Sequence, residues 1–142
     1  MTDIVSAVET FQRFIAENPY SGTADEIVTL SLGIAEASNR LDTSTFRLYA
    51  EQSGIGEKVF SKLKVIGKTL LSLQESERRD VIKQLPASYS TIHVLCSLSP
   101  EELLTGARSG AITSSMSVRT AKDYTKQVRF PALAAADGEK GR

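Results

Sequence analysis

The chain has 142 residues, enough for one packed domain with or without a terminal extension and too few for two independent large ones. Hydrophobic residues make up 41% and charged residues 24%, a balance that excludes an intrinsically disordered chain. No apolar run approaches the length of a membrane span, and the single Cys96 permits neither an intrachain disulfide nor a multi-cysteine metal site, so a cytoplasmic protein is expected.

Ile4, Val8, Phe11 and Ile15 recur at helical spacing and predict a first helix over 3–17, ending before Asn18-Pro19. Pro19 to Gly22 reads as a turn. Thr23 with Glu26 is a capping-box pair that opens a second helix to about Asn39, with Ile27, Val28, Leu30 and Ile34 on its buried side. A third helix is expected from about Ser44 to Gln52. Ser53-Gly54 then turns the chain, and a fourth helix runs from Glu57 to Leu71 or Leu73.

Beyond it, Ser76 to Gln84 reads as a fifth helix, charged through Glu77, Arg78, Arg79 and Asp80, with Val81, Ile82 and Leu85 available for packing. Pro86 ends it. Ser88 or Ser90 caps a short sixth helix to Ser97. Ser99-Pro100-Glu101-Glu102 starts a seventh with serine at the cap, proline at the first helical position and glutamate at the third. Gly110 closes that helix, and Ser117 opens an eighth through Val118, Ala121, Tyr124 and Val128 to about Arg129. No strand-period run competes and no internal repeat is evident. The expected fold is all-α, a compact multi-helix bundle of about seven or eight helices.

Charge divides this bundle. Residues 1–42 hold two basic and seven acidic side chains, net −5, whereas residues 43–130 hold thirteen basic and eight acidic, net +5. The expected organisation is an acidic N-terminal helical hairpin over 1–42, a basic helical domain over 43–130, and a disordered tail over 131–142, PALAAADGEKGR. The hairpin suits a dimer contact or a protein partner, and its charge opposes an anionic membrane surface.

Residues 46–65, FRLYAEQSGIGEKVFSKLKV, concentrate the functional signal. Ala50 is small where two crossing helices must approach, Gly54 can take positive φ in the turn, and Ile55, Phe60 and Leu63 point back into the crossing. In Tyr49 to Ile55 followed by Val59 to Leu63, the chain resembles the helix-turn-helix of the ParB and KorB plasmid-partition proteins and related phage regulators. Leu85 to Ile92, Leu98 to Leu103, Gly110 to Thr113 and Arg119 also look like a helical segment carried by plasmid- and phage-encoded proteins. The resemblance implies a helical DNA-binding domain that acts as a dimer in transcription, replication or partition of a mobile element. The nucleotide-binding box of the ParB enzymatic region is not matched, so nucleotide hydrolysis is not implied. Glu57, where such motifs often carry Ser or Thr, departs from the pattern and would repel phosphate.

On that reading the fourth helix enters the major groove of double-stranded DNA with Lys58, Ser61 and Lys62 on its outer side. Lys58 and Ser61 are the candidates for base edges. Arg47, Lys64 and Lys68 are better placed for phosphate. Arg119, Lys122, Lys126 and Arg129 form a basic stripe on the eighth helix, suited to a neighbouring phosphate backbone or simply to solvating an exposed face. The helix pair itself also suits a purely structural crossing, and a protein-binding adaptor or inhibitor encoded by a mobile element is the alternative function.

Catalytic signals are weak. His93 and Cys96 are three apart, but two ligands do not make a zinc site and the chain has no other histidine, so a core role is expected for them. Glu101-Glu102 is explained by capping, and no phosphate-cradling glycine loop occurs. No enzyme, metal or cofactor is expected, and the location would be nucleoid- or plasmid-associated cytoplasm.

Overall fold

The computed structural model describes residues 22–130 together with Glu9, Arg13, Ala16 and Glu17, which are helical and exposed. The expected first apolar stripe (Ile4, Val8, Phe11, Ile15) and the tail over 131–142 lie outside the described residues. From residue 22 onward the chain forms seven α-helices: α1 (Ala24–Arg40), α2 (Thr43–Gln52), α3 (Glu57–Leu71), α4 (Glu75–Gln84), α5 (Tyr89–Leu95), α6 (Pro100–Ser109) and α7 (Val118–Arg129). The described residues include no strand. No described helix is long and apolar enough to cross a membrane.

Local capping chemistry sets most of the boundaries. Thr23 with Glu26 and Ser99 with Glu102 form reciprocal capping boxes, and Ser117 accepts from the Thr120 amide. Of the two serines open as the cap of α5, Ser88 takes the role, accepting from the Thr91 amide. Each such cap contributes about 1 kcal/mol by satisfying an amide that the helix leaves unpaired. Two starts fall one residue earlier than the periodicity places them. Asp42 caps α2 through the Thr45 amide at 2.7 Å, and Gln74 precedes α4 with its amide donating to Glu77 at 2.9 Å.

Among the described residues the core is a single cluster. Ile27, Leu30 and Ile34 of α1 meet Leu63, Ile66 and Leu70 of α3, all fully buried. The acidic helix over 24–40 thus shares its core with the basic region that follows. The contact is close because Gly67 of α3 lies on the backbone of α1. A methyl group there would collide with the Ser31 carbonyl oxygen and come within 2.8 Å of the Ala35 Cβ. Ser31 is buried in this contact and donates its hydroxyl to the Ile27 carbonyl at 2.8 Å, which removes the cost of an unpaired polar group.

From α3 the chain folds back through Arg78 of α4. Its guanidinium donates to the Leu70 carbonyl at 3.1 Å and the Leu73 carbonyl at 3.2 Å, placing a cation on the carbonyl end of α3. The charged side expected for this helix is therefore partly structural. Asp80 adds an ion pair to Arg108 of α6 at 3.1 Å, and Arg79 pairs with Glu75 at 2.7 Å. Next in the chain, α5 packs against both α3 and α7. Ile92, Leu95, Leu103 and Ile112 complete the core on that side, and α6 ends at Gly110 in the left-handed region at φ 81°.

Candidate nucleic-acid interface

Between α2 and α3 lies a four-residue connection that its own side chains lock. The Ser53 hydroxyl donates to the Ala50 carbonyl at 2.6 Å and accepts from the Ile55 amide at 3.1 Å. Gly54 has φ 76°, and a Cβ there would meet nothing within 4 Å, so glycine is required by backbone conformation and not by space. Ile55, Phe60 and Leu63 are buried, as their spacing predicts, and Ala50 packs half-buried against them.

This anchoring leaves α3 with one open ridge and two flanks. Lys58, Ser61, Val65 and Lys68 are exposed on the ridge, with Val65 at 42%. Val65 was not among the residues the spacing singled out. It sits four residues from Ser61 and three from Lys62 and Lys68, so it belongs to the same exposed face. After Glu57, the helix carries no acidic side chain.

Toward α2, the flank of α3 forms a groove of about 490 Å³ with Arg47, Ser61 and Lys64 in its walls. Phe46 and Phe60 pack there with ring centroids 5.6 Å apart, and the Lys64 ammonium stands 5.2 Å above the Phe46 ring. Glu51 and Glu57 line the same groove and offset its two cations.

The other flank faces α5 and α7 across a groove of about 520 Å³. Lys62 stands on the α3 side, and Lys122, Lys126 and Arg129 on the α7 side. Ser90 and His93 of α5 lie between these walls. Lys62, expected on the outer side of its helix, is half-buried and turned to this groove. Its neighbours one turn away on either side, Val59 and Ile66, belong to the packed face of α3. Arg119, the first member of the basic stripe, stands exposed outside the groove lining.

His93 corrects a second expectation. Cys96 is in the core, where burial pushes its thiol up to about 12. His93 is only half-buried and lines the cationic groove. Partial burial and the charge of Lys62 hold its imidazole below the usual histidine range, so it stands neutral at neutral pH. Helical spacing places the two residues near each other, but the packing of α5 between two neighbours decides which of them reaches solvent.

The nine sequence-derived residues thus fall into three groups. Lys58 and Lys68 stand on the open ridge, Arg47, Ser61 and Lys64 line the mixed groove, and Lys62, Lys122 and Lys126 line the cationic one, with Arg119 beside it. Ser61 belongs to the first two. No protein-family model, curated protein or solved structure matches the chain.

Proposed function

We propose that this protein is a sequence-specific DNA-binding regulator in which α2 and α3 act as a helix-turn-helix and α3 enters the major groove. One observation carries the reading. The exposed ridge of α3 combines lysines, a hydroxyl and the methyl groups of Val65 on a helix with no acidic side chain after its first residue. Those groups match what major-groove base edges and flanking phosphates offer: guanine acceptors for Lys58, mixed donors and acceptors for Ser61, and thymine methyls for Val65. Lys68, further along, meets phosphate. Glu57, at the N-terminal end of the helix, lies where its charge favours the helix dipole, and the ridge begins one residue later.

A single reading helix contacts few base pairs, so the working form is a homodimer on a two-fold site, in keeping with control of transcription, replication or partition of a plasmid or phage. The test is fluorescence anisotropy of labelled duplex DNA across about 50–200 mM salt, followed by selection from randomised duplexes. Steep weakening with salt is expected, with Lys58→Ala and Val65→Ala relaxing the selected sequence and Lys68→Ala weakening all sequences alike. Absence of binding at the lowest salt would favour the protein-binding adaptor instead.

A further inference from the structure

The groove between α3, α5 and α7 has a composition that the ridge alone does not explain. Four cations, Lys62, Lys122, Lys126 and Arg129, line it, and among the described residues no aspartate or glutamate does, although the chain as a whole is neutral. They come from two helices that do not follow each other in sequence and that α5 brings to one place. Ser90 and the neutral imidazole of His93 add hydrogen-bonding groups between them. Such a site fits an extended anion with several acceptor oxygens.

We infer that this groove receives the sugar–phosphate backbone of one DNA strand, so that the duplex read by the α3 ridge is gripped a second time on its flank. The inference rests on the DNA-binding reading above. Continuity supports it: Lys58 on the ridge and Lys62 in the groove are one helical turn apart on α3, so a cationic track runs from the ridge into the groove without an acidic break. Lys62 thereby acts on phosphate and not on a base edge. The stripe on α7 acquires a direction, with Lys122, Lys126 and Arg129 following the strand and Arg119 standing outside it.

His93 makes the groove observable, because it is the only histidine in the chain and lies in the groove, not on the ridge. The experiment is a titration of the full chain with a short mixed-sequence duplex at low salt, following the His93 ring resonances by NMR and binding by anisotropy. A shift of His93 that saturates with binding is expected. The double variant Lys122→Ala/Lys126→Ala should lose that shift, weaken binding about 50-fold near 0.1 M salt and reduce the salt slope by roughly two. A duplex that binds while His93 stays unmoved, with the slope of the double variant unchanged, overturns the groove and leaves the ridge standing. No binding by the unaltered chain at low salt overturns both.

Discussion

The two grooves that flank α3 are nearly equal in volume and opposite in character. The one beside α2 is lined by Arg47 and Lys64 together with Glu51 and Glu57, so its formal charges balance, and the packed rings of Phe46 and Phe60 hold the two helices together. Among the described residues, the one beside α5 and α7 is lined by four cations and no acid. A helix hairpin that only builds a bundle needs the first kind of groove. The second kind costs mutual repulsion among its lysines, which is offset when an anion occupies it.

The largest expected effect falls on the fold that carries both grooves. Gly67→Ala should force α1 and α3 apart and destabilise the fold by about 2–3 kcal/mol despite the better helix propensity of alanine, read as a lower denaturation midpoint. Next come the lysines. Lys122→Ala should weaken duplex binding about eightfold near 0.1 M salt, whereas Lys64→Ala, whose ammonium is committed to the Phe46 ring and near-balanced by acids, should change it less than about threefold. Equal losses would mean that the grooves do not differ as their composition implies.

The aromatic residues should divide in the reverse sense. Phe46→Ala deletes the contact with Phe60 and should cost about 2 kcal/mol of stability. Phe130→Ala, at a ring 48% exposed on the cationic groove, should stay within about 0.5 kcal/mol. The smallest effect is that of pH. His93 faces Lys62 from α3 and Lys122, Lys126 and Arg129 from α7, and its pKa is lowered in the fold by burial and then by Lys62. The unfolded chain therefore takes up the proton first. The contribution of His93 to stability is complete above its ordinary value near 6.5 and is lost as pH falls through the folded value, giving a small decline that His93→Gln should flatten. Bound phosphate reverses the sign, so duplex affinity should rise over the same interval.

The fold was readable where chemistry is local. Thr23 with Glu26, Ser99-Pro100 with Glu102, and Gly110 each mark a helix end through groups within a few residues, and the observed boundaries follow them. The turn at Ser53-Gly54 was equally clear. Less accessible was the side on which each helix would be covered. Gly67 looks unremarkable in sequence, and only the approach of Ser31 from a helix more than thirty residues away gives it a role. Lys62 and His93 lie at the margins of apolar faces, and whether a marginal residue faces solvent or a groove depends on the neighbouring helix. The signal for Lys62 was present in its flanking Val59 and Ile66, and that for Val65 in its position among Lys58, Ser61 and Lys68.

Cys96 is buried at the end of α5, and with burial holding its thiol near 12 almost none is ionised at neutral pH. A thiol reagent should then label only those molecules in which the packing around it has momentarily parted. As the sole cysteine of the chain, it turns labelling into a clock for that parting. An anion that ties α3 to α7 across α5 should slow the clock, while one that touches only the α3 ridge should leave it running at its former pace.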